Sequence, residues 1–209
     1  MRKTHLLLAI VLPAAAAVLQ GCFPVFVGAG AGAVMSAADR RTTGAQVEDE
    51  GIEFKISGRI DERYDDKVHV DVTSFNRSVL LTGEVPEPRI KADIEKIALG
   101  VQNVRGVTNE IEIAGIPSAP ARANDGYLTA KVKTRFLDAD KFNPIYVKVV
   151  TEAGVVYLLG IVTDQEAADA VEIARTTGGV RKVVKIFEYC KPTDAICRPR
   201  EKPAAQPKS

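Results

Sequence analysis

Histidine is scarce in the 209-residue chain, which carries His5 and His69 and no other. A catalytic triad or a metal centre needs several groups converging on one point, and one or two imidazoles are a poor start. His5 lies in a leader-like segment. His69 sits between Val68 and Val70, where strand alternation turns it outward, so a single exposed histidine is what this pattern predicts. The acidic groups Glu48, Asp49, Glu50, Asp138 and Asp140 read as solvated helix ends rather than as acid and base pairs. No enzyme activity, metal site or cofactor is expected. A basic block is also missing: 28 Lys+Arg stand against 27 Asp+Glu, without the concentrated footprint that nucleic acid requires.

Membrane-spanning length is missing as well. Arg2 and Lys3 precede the apolar run of residues 6–19, which is short for a transmembrane helix and shaped like a secretory signal. The run ends in Leu19, Gln20, Gly21 and Cys22, which resembles the bacterial lipobox, where cleavage leaves an N-terminal acylated cysteine. Residues 1–21 are thus expected to be a lipoprotein signal peptide and Cys22 the lipidation site, carrying palmitate or a similar acyl chain. Their removal leaves 26 Lys+Arg against 27 Asp+Glu. Phe23 rather than Asp follows the cysteine, and the sorting pattern this resembles then implies the outer membrane, with the protein facing the periplasm. Residues 22–46 are small and apolar before turning charged at Asp39. They read as a flexible tether, or as a segment lying along the bilayer or in a partner's groove.

What the chain does contain is a repeat. VLLTGEV at 79–85 is answered by VYLLGIV at 156–162, and Gly83 by Gly160. Ile52, Ile56 and Ile60 form a stripe at helical spacing, answered 76 positions on by Leu128, Val132 and Phe136. Val70 and Val72 flank Asp71 in an alternating strand, as Val147 and Val149 flank Lys148. A second helix brings Ile90, Ile94, Ile97 and Ala98 to one face, opened by Pro86 and Pro88 and closed near Gly100, and Ile97-Ala98 recurs as Ile173-Ala174. The closing strand of the first copy spans 107–113. Constant spacing with constant element order is the signature of duplication. The predicted organisation is a first domain over 47–114, a proline-broken linker over 115–124, a second domain over 125–189 and a tail over 190–209. A short turn between the first two strands suits an antiparallel hairpin, and a helical crossover to the third suits a parallel pair. The expected fold class is α+β, two tandem α-β-β-α-β units, each a small mixed sheet with two helices on one face. Units this small bury only about 60% of their unfolded surface, so the two are expected to pack together. The single glycines near the strand ends are read as places where a helix approaches or the chain kinks, not as phosphate loops.

The α-β-β-α-β order, the G-x-V strand end and the helix leading into VRGV at 104–107 or VRKV at 180–183 resemble the BON domain (bacterial OsmY and nodulation). Two such units behind a lipobox resemble the dual-BON outer-membrane lipoproteins, over residues 39–189. That resemblance implies a non-enzymatic module associated with envelope integrity and phospholipid contact.

In an oxidising periplasm Cys190 and Cys197 are expected to form a local disulfide that caps the tail. Metal binding and redox catalysis are poorer readings, for want of a nearby histidine and of C-x-x-C spacing. In the helix NDGYLTAKVKTRFL at 124–137, Asp125 reads as an N-cap and Leu128, Val132 and Phe136 as the core stripe. Tyr127, Lys131, Thr134 and Leu137 fall on another side, flanked by Lys133. An aromatic and a leucine beside lysines suit contact with anionic phospholipid, which is also where the family resemblance places membrane contact. The first copy lacks this set, having Gly51 and Asp61 where the second has Tyr127 and Leu137. The opposing expectation is that Tyr127 and Leu137 pack against the first copy. Two functions follow: an anionic-phospholipid-binding lipoprotein that supports envelope integrity through its second domain, or a periplasmic scaffold docking on outer-membrane assembly or cell-division proteins.

Overall fold

A computed structural model describes residues 39–197. Each copy opens with a long helix. α1 spans Thr43–Tyr64, with the Thr42 hydroxyl capping its N-terminus, and buries Ile52, Ile56 and Ile60 completely or nearly so. It starts at the Thr42 cap, well before the 52–60 stripe, and its polar first turns leave no apolar period from which that start could be read. The strands β1, His69–Phe75, and β2, Ser78–Val85, pair antiparallel from His69 opposite Glu84 to Phe75 opposite Ser78. α2, Pro88–Leu99, follows with Pro88 in its first turn and returns the chain to a parallel partner of β2. That partner is two pieces rather than the single expected strand: β3, Gly106–Asn109, and β4, Glu112–Ile113, both paired with β2. The break falls at Ile111, which is buried in the core.

The second copy repeats this order with α3, Ala119–Ala139, β5, Val147–Glu152, β6, Val155–Val162, α4, Asp164–Arg175, and β7, Lys182–Tyr189. β5 runs antiparallel and β7 parallel to β6. The α+β reading of two mixed sheets with paired helices therefore holds. The linker is shorter than the proline-broken stretch suggests. Ser118 caps α3, and Pro120 is accommodated in the first turn, where its missing N–H costs nothing. Asp125 is consequently in the helix interior and not its N-cap.

In each copy alternate residues face the helices: Val79, Leu81 and Val85 in one, Val156, Leu158 and Val162 in the other. The central strands are buried along almost their whole length on both faces, because the two sheets pack back to back. Phe75 and Leu80 from the first sheet meet Val155, Tyr157, Leu159 and Ile161 from the second in a third apolar cluster, sealed by Cys197. Leu80 and Leu159, at 0% and 1% exposure, each contribute about 1.5–3 kcal/mol by this burial. The repeated glycines serve the sheet and not a helix contact. A Cβ on Gly83, whose φ is +112°, would stand 2.1 Å from the His69 carbonyl oxygen, and one on Gly160 would stand 2.4 Å from that of Tyr146.

The charged stretch at 39–41 belongs to the fold and not to a tether. Arg40 makes a paired contact with Glu166 at 2.6 and 2.9 Å, donates to the Ile161 carbonyl at 2.8 Å and stacks over the Tyr146 ring. The next residue, Arg41, bonds Asp39 and Asp49 and covers Phe75. Consecutive arginines thus tie the segment before α1 to the second and the first copy respectively.

Candidate functional site

The interior of α3 explains what remains outside it. Leu128, Val132 and Phe136 are buried, so the opposite pole of the helix faces solvent. Tyr127 is 63% and Leu137 66% exposed. They do not pack against the first copy. Ten residues of helix separate them by about 15 Å, with Ala130 and Thr134 exposed in between. The Lys131 ammonium lies 5.9 Å from the Tyr127 ring centre and donates to the Gly178 carbonyl at 2.9 Å, which ties it to the loop before β7. Lys133 is exposed, and the Thr134 hydroxyl donates back to the Ala130 carbonyl. Tyr127, Thr134 and Leu137 thus share one face, with Lys131 at its margin and Lys133 beyond Leu137. Cys22 lies outside the described residues.

The first copy is less bare than its sequence suggests. On α1 Val47 is 64% and Phe54 81% exposed, and both fall on the solvent pole, where the second copy has Ala123 and Ala130. Glu50 and Asp61 stand exposed on the same side. Apolar surface is present on both long helices; Lys131 and Lys133 flank it on α3 with Asp138 beyond Leu137, and Lys55 with Glu50 and Asp61 on α1.

Two aspartates occupy equivalent positions, one expected as a solvated helix end and the other as an N-cap. Asp49, 3% exposed, accepts from the Ser74 hydroxyl at 2.7 Å and from the amides of Asn76 and Arg77 at 2.8 and 2.6 Å. Asp125 accepts from the amides of Ala153 and Gly154 at 3.0 and 2.8 Å. In both copies the hairpin turn has two successive residues at positive φ, Asn76 and Arg77 or Ala153 and Gly154, which the twist of a tight hairpin demands. Their amides point at the carboxylate of the long helix. Recurrence of Asp at the repeat offset was the available signal. Asp49 is thus a buried latch and not a solvated helix end.

His69 also departs from expectation. It does face away from its own domain's core, but the second sheet covers that face. Its Nδ1 lies 3.0 Å from a Glu84 carboxylate oxygen, and Glu152 reaches the same point from β5; one ligand atom from each of the three lies within 4.8 Å of the others. Glu84 and Glu152 are 6% and 8% exposed. Burial first, then the neighbouring Glu84 carboxylate, pushes the Glu152 carboxyl up to about 7.

In the tail, Cys190 and Cys197 are joined in a disulfide with their Cα atoms 6.1 Å apart. Among the described residues no helix is long and apolar enough to cross a membrane.

The family profile described as "BON domain" matches residues 48–115 and again 124–191. The chain is 39% identical over 173 residues to "Outer membrane lipoprotein DolP" of Haemophilus influenzae, covering 82% of this chain and 90% of that one. It is 30% identical over 153 residues to the "21 kDa hemolysin" of Actinobacillus pleuropneumoniae, covering 72% and 79%. To "Osmotically-inducible protein Y" of Escherichia coli it is 32% identical over 117 residues, or 54% of this chain and 58% of that one.

Proposed function

The chain belongs to the BON-domain family, with two copies of the domain, and on that premise we propose that it is a non-enzymatic lipoprotein of the outer membrane whose second domain binds anionic phospholipid. The acylated Cys22 holds it at the membrane, facing the periplasm, in keeping with the lipoprotein it resembles over 82% of its length. The observation that carries the reading is the solvent pole of α3, where Tyr127 and Leu137 stand 63% and 66% exposed beside Lys131 and Lys133. Tyrosine sits well at head-group level, and each lysine near an anionic surface contributes about 1 kcal/mol. The arrangement suits a helix lying along the interface, with its apolar residues among the acyl boundary and its lysines among phosphates. Nothing in it asks for turnover: it is a surface and not a cleft.

The test is direct binding. The unacylated Cys22→Ala chain should co-sediment with phosphatidylcholine vesicles containing phosphatidylglycerol, bind pure phosphatidylcholine weakly, and lose affinity as salt rises. Equal binding to both vesicles would remove the electrostatic part of the reading, and no binding to either would remove all of it. Phe54, 81% exposed on α1 beside Glu50 and Asp61, favours a second reading, in which the first domain docks on an outer-membrane assembly or cell-division protein.

A further inference from the structure

The back-to-back packing of the sheets is apolar at one end, where Phe75 and Leu80 lie, and ionisable at the other. His69 and Glu84 are directly opposed across β1 and β2, and both side chains project toward the second domain. Glu152 ends β5 and projects toward the first. All three converge within 4.8 Å. Such a cluster has an unbalanced charge. Glu84 has His69 as its partner, but the carboxylate of Glu152, a residue 8% exposed at the edge of the adjoining cleft, forms no hydrogen bond or ion pair with any described residue. A buried carboxylate without a partner is costly enough that something ordinarily answers it. Two strand positions from Glu84, the Thr82 hydroxyl is likewise buried without a hydrogen-bond partner. Asp71 and Asp125 line the adjoining cleft, of about 340 Å³, and add to its negative potential; Arg122 also lines it but forms no ion pair with the cluster among the described residues.

We propose that His69, Glu84 and Glu152 form a binding site for a zinc-like divalent cation that fastens the first domain to the second. The donor set is one imidazole nitrogen and two carboxylates. It matches the nitrogen and oxygen ligands of zinc, with a fourth position left for water entering from the cleft. Calcium would ask for six to eight oxygens and gains little from an imidazole. Ligand atoms around tetrahedral zinc stand about 3.4 Å apart, so the site closes by side-chain rotation, without moving the sheets. Because the ligands come from both domains, the ion couples their packing, a role separate from the lipid-binding face on α3.

The experiment uses the chain purified from membranes in mild detergent, stripped with chelator and titrated calorimetrically with zinc chloride at neutral pH. Cys190 and Cys197 are tied in a disulfide and offer no competing thiolates. One zinc ion per chain should bind, and zinc should raise the melting temperature. Glu152→Gln keeps the volume and removes the unpaired charge, so it should fold at least as stably as the metal-free wild type while binding zinc at least tenfold more weakly and losing the zinc-induced rise. His69→Gln, from the other domain, should likewise weaken zinc binding at least tenfold and lose the zinc-induced rise. Absence of saturable zinc binding would overturn the proposal, as would both variants retaining wild-type affinity. Calcium binding as tightly as zinc would overturn the assignment of the ion class.

Discussion

Replacing Asp49 with alanine should unlatch the first domain from within. Its carboxylate accepts four hydrogen bonds: from the Ser74 hydroxyl, the Asn76 and Arg77 amides, and Arg41 at 2.9 Å. The two amides belong to a turn whose residues hold φ of 51° and 68°, a conformation non-glycine residues adopt reluctantly. Without the acceptor these groups lose their partner in a site only 3% exposed, and Arg41 loses part of its countercharge. Each buried unsatisfied group costs about 1–3 kcal/mol, moderated where water can enter, so Asp49→Ala should lose roughly 3–5 kcal/mol. In a chain of this size that is a fall of roughly 8–15 °C in melting temperature. Asp125→Ala, with two amides at stake, should lose about 2–3 kcal/mol. Asp49→Asn keeps one acceptor oxygen and should fall between wild type and alanine. Thermal melts followed by circular dichroism, with urea titrations for the free energies, measure all three. Melts of both alanine variants within a degree of wild type would refute the latch.

Other perturbations probe other parts. Gly83→Ala drives a Cβ into the His69 carbonyl and should cost about 3 kcal/mol or more, whereas Gly51→Ala, in a helix with nothing within 4 Å of the new Cβ, should gain about 0.5–1 kcal/mol; similar melts for the pair would contradict the packing described. Burial alone would raise the Glu166 carboxyl, but its bonds from Arg40 and the Thr163 amide hold it below the ordinary range. A carboxyl depressed by folding stabilises the protein above its unfolded pKa, and that share is lost as pH falls through the lower folded value. Arg40→Gln should therefore destabilise by roughly 2–3 kcal/mol at neutral pH, and its deficit in a pH series of urea titrations should shrink toward acid. Cys22→Ala should release or mislocalise the protein, since stable residence needs an acyl anchor; its full retention in outer-membrane fractions would contradict the lipidation reading.

The parts legible in the sequence were those with an apolar period. The stripes at Ile52, Ile56 and Ile60 and at Leu128, Val132 and Phe136 located both long helices, and the constant offset located the duplication. Periodicity does not mark polar residues that are buried, so Asp49 reads as a solvated helix end and Asp125 as an N-cap, although their offset is that of the stripes. Nor does alternation say whether the face it turns outward is covered. His69 was read as exposed for that reason, yet VYLLGIV, apolar on both faces, already required cover on each side of the sheet. The polar opening turns of α1 and the placement of Arg40 and Arg41 have no local signature, because they depend on Glu166 and Asp49 being brought near by the fold. Conversely, Tyr127 and Leu137 were separable from the core stripe by helical geometry alone.

The central claim is that the second domain's long helix is the lipid-binding surface, and the measurement that tests it most directly compares Tyr127→Glu with Phe54→Glu in the unacylated chain on vesicles containing phosphatidylglycerol. Both residues are exposed, at 63% and 81%, so both variants should melt near wild type. Tyr127→Glu should lose vesicle binding and Phe54→Glu should keep it. Undiminished binding by a folded Tyr127→Glu variant, or loss confined to Phe54→Glu, would contradict the account.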